Sequence, residues 1–265
     1  GIVSSASGHI IVTAQADIDI EQNVIAGESG NVLLHAQGQG SDLNADNDIV
    51  SESGHLTLKA GNDLKLEANV NVSTAADGTI SLDAQSGVID MAGTVNIEAS
   101  DSSIRINASG DITLGNLIAD QVSVLSDSGS ILNATGSNKN VTATSLRLHS
   151  KQAIGSSDNH LTTAVDNLTA QAQGSAESDP FSGIYIIEDD SLTITNVSVS
   201  VTEFKANAES IAVTDDSQSG LVSENEGDIE LFTKAGNLNF AENTAISSDG
   251  STSIDAQGAI IMQGT

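Results

Sequence analysis

The 265-residue sequence has no cysteine, no tryptophan and a single proline. Without cysteine it can form neither a disulfide framework nor a cysteine-ligated metal centre. It has only 8 lysine and arginine residues against 36 acidic ones, which gives a net charge of −28. We therefore expect no nucleic-acid partner, because few cations are available to neutralise phosphates. No apolar run approaches the roughly 20 residues of a membrane span, so no membrane insertion is expected either.

Aromatic residues make up only 2% of the chain, although 38% of its residues are hydrophobic. A globular core of this size normally uses phenylalanine, tyrosine and tryptophan to fill irregular gaps. A core built almost entirely from valine, isoleucine, leucine and alanine indicates instead that like side chains stack on one another. The composition therefore predicts an internal repeat.

Glycines mark this repeat. Gly8, Gly30, Gly54 and Gly78 are separated by 22, 24 and 24 residues. Aliphatic residues follow each glycine at the second and fourth positions, and alanine follows at the sixth. The residues at the second position are Ile10, Val32, Leu56 and Ile80, and the alanines are Ala14, Ala36, Ala60 and Ala84. The pattern returns around Ser103, Gly129, Gly227 and Gly250.

Each unit alternates apolar and polar residues with a period of two, as in residues 56–60, 64–68 and 70–72. This pattern predicts three short strands per coil of about 22–26 residues, joined by corners. The predicted fold is an all-β, right-handed parallel β-helix (β-solenoid) of about eleven coils. Right-handed winding is favoured because the coil length varies, whereas left-handed β-helices keep a strict hexapeptide. An array of β-sandwiches is the alternative, but its modules need about 100 residues each.

The repeat divides the chain into three stretches of one continuous β-helix, residues 1–265. Regular coils are predicted for 1–137 and 227–265, and longer coils with protruding loops for 138–226. The only proline lies in the middle stretch. We predict a partner-binding loop there, formed by Asp179, Pro180, Phe181 and Tyr185, with structural padding as the alternative.

Acidic residues cluster at several places. The clusters are Asp42, Asp46 and Asp48; Glu188, Asp189 and Asp190; and Asp215 and Asp216. Ca²⁺ takes six to eight oxygen ligands, so such clusters are the places where it would bind. However, neither a glycine-rich calcium nonapeptide nor an EF-hand loop is present. We therefore expect no cofactor, with Ca²⁺ as the alternative, and we expect the acidic residues to form solvated faces.

A carbohydrate-active β-helix enzyme, a polysaccharide lyase or hydrolase, is the alternative functional class. Such a site needs paired carboxylates and platforms that hold sugars. Glu188 and Asp190 alternate along a predicted strand and would share a face. The chain nevertheless has no tryptophan and few cations to stabilise uronate charge. The expectation is that it is not an enzyme. His9 and His55, two coils apart with Asn31 between, are expected to face solvent.

The repeat units resemble those of filamentous-haemagglutinin-like bacterial exoproteins. The resemblance rests on the Ser-Gly-x-Ile/Leu/Val-x-Leu-x-Ala units and on residues 60–66, 108–114, 153–168 and 184–188. It implies a β-helix rod at the extracellular surface of a Gram-negative-type bacterium, with a role in adhesion, matrix or contact. It offers no catalytic residues. The Asn-Pro-Asn motifs of the family's secretion domains are absent.

No capping helix is apparent at either end of the repeat. Exposed strand edges recruit other chains, so a solenoid normally hides them. Two explanations stay open: the coils continue in a longer chain, or successive chains stack end to end into a filament. The partners expected from the sequence are therefore further coils of the same kind and a glycan or receptor on a host or neighbouring cell.

Overall fold

The computed structural model describes residues 2–4, 7–174 and 182–263, and within these ranges every regular element is a β-strand. The strands stack in parallel into a β-solenoid of about 10 turns, with about three strands per coil. The predicted architecture is thus confirmed, with one coil fewer than the repeat length indicated. Among the described residues there is no helix long and apolar enough to cross a membrane.

The first four coils hold twelve short strands. They are β1 (Ile2–Ser4), β2 (Ile10–Ala14), β3 (Ile18–Ile20), β4 (Val24–Ala26), β5 (Val32–Ala36), β6 (Leu43–Ala45), β7 (Ile49–Ser51), β8 (Leu56–Ala60), β9 (Leu64–Leu66), β10 (Asn71–Thr74), β11 (Ile80–Ala84) and β12 (Ile89–Met91). The next coils contain longer strands that turn one corner without a break. The long strands are β13 (Asn96–Ala108), β15 (Asn116–Ser126), β17 (Val141–Ser150) and β18 (Leu161–Ala172), and two short strands lie between them, β14 (Ile112–Leu114) and β16 (Ile131–Asn133).

The remaining strands belong to the last coils and to one hairpin. They are β19 (Gly183–Glu188), β20 (Leu192–Ile194), β21 (Asn196–Phe204), β22 (Ser210–Ser219), β23 (Leu221–Ser223), β24 (Asp228–Thr233), β25 (Leu238–Phe240), β26 (Ile246–Ser248), β27 (Thr252–Ala256) and β28 (Ile260–Met262). β18 pairs along its length with three of them, β19, β20 and β23. The next layer of the solenoid is therefore formed by three separate strands instead of one long strand. β21 and β22 lie outside the coils and pair with each other.

The solenoid has three faces. We number them by their order along each coil. The third face is a separate sheet in the order β16-β14-β12-β9-β6-β3. The middle face consists of β2, β5, β8 and β11, followed by the second halves of β13, β15, β17 and β18. The first face consists of β1, β4, β7 and β10, followed by the first halves of the same long strands.

The aliphatic column predicted from the glycine spacing lines the middle face on its inner side. Ile10 is in register with Val32, Val32 with Leu56, and Leu56 with Ile80. The alanines of the motif form a second column in the same register, and from the second coil onward both columns are buried. Like side chains therefore stack along the axis, which explains how the core is filled with so few aromatic residues.

The anchor glycines lie where one coil passes closest to the next. A side chain at Gly54 would meet the backbone carbonyl of Gly30, and one at Gly78 would meet that of Gly54. Only glycine allows this approach, because a Cβ atom would overlap the neighbouring backbone. The repeat of glycine thus follows from the stacking itself.

Candidate functional site on the middle face

A hairpin covers the outside of the middle face. β21 and β22 pair with each other in antiparallel fashion and form a two-stranded sheet of their own. We call residues 196–219 the strap. It leaves the coil path after β20, folds back over the coils that precede it and rejoins the path at β23. This stretch was predicted to form protruding loops; part of it instead lies flat against the solenoid.

The strap meets one column of outward-facing side chains. In coil order this column is Ile11, Leu33, Thr57, Ser81, Arg105, Ser123, Arg147 and Thr169. Its small members at the third, fourth, sixth and eighth positions are fully buried. Outward positions of a solenoid are normally solvated, so their burial is due to the strap.

The length of the strap matches the coils that it crosses. The backbone N–H of Phe204 donates to Thr57 Oγ1, and the side-chain amide of Gln218 donates to Thr169 Oγ1. These contacts lie five coil steps apart, which at about 4.8 Å per step is about 24 Å. The seven residue steps from Val197 to Phe204 span about 23 Å at the rise of an extended strand. The strap therefore runs along the solenoid axis and contacts successive coils.

Apolar side chains of β21 face the solenoid. Val197, Val199, Val201 and Phe204 are at most 5% exposed, whereas the residues between the valines point outward. The ring of Phe204 also contacts the ring of His9, with 4.8 Å between the centroids. The tip of the strap thus reaches a residue of the first coil.

A buried ionic cluster fixes the end of the strap near its tip. The Glu203 carboxylate lies 3.0 Å from Lys59 Nζ and 2.6 Å from Lys205 Nζ, and it accepts a hydrogen bond from Ser81 Oγ at 3.0 Å. Burial alone would raise the pKa of Glu203, but the two ammonium groups outweigh it and lower the pKa to about 2. The carboxylate is therefore ionised and paired at neutral pH.

Both arginines of the chain hold the other half of the strap. Arg105 Nε donates to Asp215 Oδ1 at 2.9 Å, and Arg147 Nε donates to the backbone carbonyl of Asp216 at 3.0 Å. Gln218 donates to the Leu148 carbonyl at 2.8 Å. Lys59, Lys205 and the two arginines make up four of the chain's 8 basic residues, so its scarce cations are concentrated at this interface.

Next to the strapped column, a ladder of side chains caps the coils. The backbone N–H of Asn31 donates to His9 Nδ1 at 3.0 Å, and that of His55 donates to Asn31 Oδ1 at 2.7 Å. The N–H of Thr79 donates to His55 Nδ1 at 3.2 Å. The equivalence of His9 and His55 is as predicted, but their rings act as hydrogen-bond acceptors for the next coil.

Of the predicted partner-binding residues, Asp179, Pro180 and Phe181 lie outside the described residues. Tyr185 lies on β19 and is only 2% exposed. Its hydroxyl donates to the Ser182 carbonyl at 3.3 Å, and its ring meets that of His160 edge-on. The burial of the Tyr185 side chain leaves little of it for contact with a partner.

Glu188 is the last residue of β19 and is fully buried. Its carboxylate accepts hydrogen bonds from the Thr163 hydroxyl at 2.7 Å and from the backbone N–H groups of Val165, Asp189 and Asp190 at 2.9–3.3 Å. Burial raises the pKa of Glu188 to about 7, and these donors limit the rise. The carboxylate fills the corner where β18 passes from β19 to β20.

The other two carboxylates of this cluster have different surroundings. Hydrogen bonds from Lys139 and Lys234, both at 2.8 Å, lower the pKa of Asp189. Asp190 is exposed. Because the strand ends at Glu188, the alternation does not continue, and the prediction that Glu188 and Asp190 share a face is wrong.

The remaining acidic clusters mostly cap neighbouring coils. Asp42 accepts hydrogen bonds from the side chain of Asn62 and the N–H of Asp63, and Asp48 accepts two from Asn71. In the described part of the chain, no group of three or more acidic or histidine side chains is arranged to hold a metal ion.

Two shallow depressions of about 310 Å³ each lie along the first face. Ser100 lines both of them, so they adjoin each other along the axis. Glu52 and Glu98 line one, and Asp101 and Asp120 line the other. These are the carboxylates on which a carbohydrate-active enzyme could draw in this part of the molecule.

Comparison with known proteins adds no relative: no family model, no curated protein and no solved structure matches this chain.

Proposed function

We propose that this chain is a load-bearing rod, a stalk or fibre-forming segment of a bacterial surface exoprotein with a role in adhesion or contact. The observation that carries the proposal is the strap. Tension along a solenoid axis pulls successive coils apart and would peel them from one end. A hairpin that runs along the axis, contacts six successive coils and is bonded to five of them opposes this, because its contacts must be broken together in shear.

The last described coil supports axial continuation. Ile260, Ile261 and Met262 of β28 are 47%, 42% and 69% exposed. Apolar side chains at the end of a solenoid are the surface that a further coil would cover. That coil can belong to the same chain or to a second copy. The high negative charge would keep such rods from clumping side by side.

Electron microscopy with gold-labelled antibody on the source cells tests this proposal. We expect label on rods or filaments outside the cell, and label confined to the cytosol would overturn it. Repeating the measurement on purified filaments with a calcium chelator tests the predicted lack of a cofactor. Loss of axial order after chelation would mean that a metal joins the coils.

Force spectroscopy tests the role of the strap. The full chain is held at both ends and pulled, first as the natural sequence and then as Glu203→Gln, which uncouples the ionic cluster. We expect a single high-force event that falls in the variant. Equal unfolding forces in both proteins would exclude the strap as an axial brace.

The carbohydrate-active enzyme is the second candidate, favoured only by the acidic depressions on the first face. It is tested by incubation with uronate-containing and neutral polysaccharides. A lyase produces an unsaturated uronate that absorbs in the ultraviolet, and a hydrolase releases reducing ends. If either product forms with the natural chain and does not form with Glu98→Gln, the enzyme replaces the structural proposal. We expect neither product.

A further inference from the structure

A third depression, of about 230 Å³, lies near the end of the solenoid, away from the strap. Its lining includes His160 from the residues before β18, Glu230 and Phe232 from β24, and Ser253 and Asp255 from β27. We call it the His160 depression. Nothing in the rod function proposed above requires it.

The strand register places these side chains side by side. Glu230 is in register with Ser253, and Phe232 with Asp255. Residues two apart on one strand point to the same side, and neighbouring coils are about 4.8 Å apart. The four side chains therefore form a small rectangle on adjacent coils, and His160 closes one side of it.

Phe232 is unusual in this chain. The other described aromatic residues, Tyr185, Phe204 and Phe240, are all at most 3% exposed. Phe232 faces outward on β24 and is part-exposed. A sequence with so few aromatic residues has placed one on its surface, where it adds little to the core.

Contacts within the chain orient the polar side chains beside Phe232, but these side chains keep unoccupied hydrogen-bonding atoms. His160 Nε2 lies 3.0 Å from Glu230 Oε2, and the His160 ring packs edge-on against buried Tyr185. The Glu230 side chain is still 47% exposed. Within the described residues, no partner occupies Glu230 Oε1, the Asp255 carboxylate or the Ser253 hydroxyl. Hydrogen-bonding groups are thus available at the edge of an apolar ring.

This combination suits a sugar ring. The C–H face of a pyranose packs on an aromatic ring, while its hydroxyls donate to carboxylates and exchange hydrogen bonds with serine. The volume is below the roughly 300 Å³ of a site for a drug-sized ligand, which fits one ring. Glu230, Asp255 and the net charge of −28 would repel a uronate. We propose that the His160 depression binds one uncharged pyranose residue of a glycan.

Saturation-transfer NMR on the full chain tests the proposal. The probes are maltotriose, cellotriose and the trimer of N-acetylglucosamine, with a galacturonate trimer as the charged comparison. We expect saturation of the ring C–H protons of at least one uncharged trimer and none of the galacturonate trimer. Absence of transfer to all three uncharged probes would overturn the proposal, as would equal transfer to all four.

Two variants assign the binding to this place. Phe232→Ala should weaken binding at least fivefold, because the platform is lost. Ile211→Ala is the matched control, because Ile211 is an exposed apolar residue of β22 that lines none of the three depressions. Its binding should equal that of the natural chain. Unchanged binding in Phe232→Ala, or equal loss in both variants, would show that the sugar binds elsewhere.

Folding is controlled by Phe232→Leu, which keeps an apolar side chain but lacks a flat face. This variant should retain the thermal midpoint of the natural chain and still bind several-fold more weakly. If it binds as tightly as the natural chain, stacking on Phe232 is not the basis of recognition and the proposal fails.

Discussion

The middle face and the third face are built from the same coils, yet their outward side chains differ in solvent exposure. On the third face, Asp19, Lys65 and Asp90 are exposed. On the middle face, Thr57 and Ser81 are fully buried, because the strap lies over them. The same alternation of inward and outward side chains thus gives a solvated surface on the third face and a second, partly polar interface on the middle face. What decides between them is a segment more than a hundred residues away in sequence.

Mutation in the interface under the strap should cause the largest loss of stability, because only the middle face has this interface. Phe204→Ala removes a ring that is 1% exposed and packs on His9. We expect the free energy of unfolding to fall by about 3–5 kcal/mol, since a buried aromatic ring is replaced by a cavity. Denaturant titration measures this. The exposed residue Ile118, changed to alanine, is the control and should have little effect; equal losses would mean that the strap tip contributes nothing specific.

Glu203 tests the ionic part of the same interface. Its pKa is lowered in the folded chain from 4.5 to about 2, so the unfolded chain binds more protons between these values. The stability that it provides is present above pH 4.5 and is lost as the pH falls towards 2, by about 3 kcal/mol. In Glu203→Gln this part of the acid-induced loss should disappear, and the variant should be less stable at neutral pH. Thermal melts between pH 4.5 and pH 2 measure this. If the variant loses as much stability over this range as the natural chain, Glu203 is not the source of the loss.

Glu188 sharpens the comparison, because it is also buried but has no ammonium group bonded to it. Its folded pKa is raised from 4.5 to about 7, so the folded chain binds the extra proton in this range. The contribution of Glu188 to stability is therefore most favourable below pH 4.5 and declines as the pH rises through 7, by at most about 3 kcal/mol.

Glu188→Gln imitates the protonated side chain, and the Thr163 hydroxyl can accept a hydrogen bond from it. We expect the variant to equal the natural chain near pH 4 and to exceed it in stability at pH 8. Thermal midpoints across this range measure the difference. A variant that is less stable at both values would show that the ionised carboxylate is needed at the corner.

Sequence reasoning succeeded where contacts repeat and failed where they do not. The column from Ile10 to Ile80 was predictable, because each member meets its equivalent one coil away. Phe204 and Thr57 are 147 residues apart, and no periodicity links them. The alternation in residues 196–202 is the same in a hairpin as in a coil, so it could not show that the segment leaves the path.

One signal of the strap was nevertheless in the sequence. In a chain of charge −28, the outward column from Thr57 to Thr169 has no carboxylate and includes both arginines. An uncharged and basic stripe on an acidic solenoid indicates a covered surface. The sequence predicts the candidate site less well than the fold: Tyr185, one of the predicted partner-binding residues, is buried. The position of Phe232 beside His160 follows only from the strand register and the shared depression.

The smallest expected effect separates two lysines that are six residues apart. Lys59 pairs with Glu203 under the strap, where the two side chains are 15% and 4% exposed, whereas Lys65 pairs with Glu67 at side-chain exposures of 48% and 44%. Lys59→Ala should lower the free energy of unfolding by about 1.5–3 kcal/mol, because it removes a hydrogen bond to a buried charged group. Lys65→Ala should cause no measurable change, since solvent screens an exposed ion pair. Denaturant titrations at low and high salt compare them. If the two variants lose stability equally, or if salt abolishes the loss in Lys59→Ala, then the strap does not shield its ionic cluster from water and the two faces are electrostatically alike.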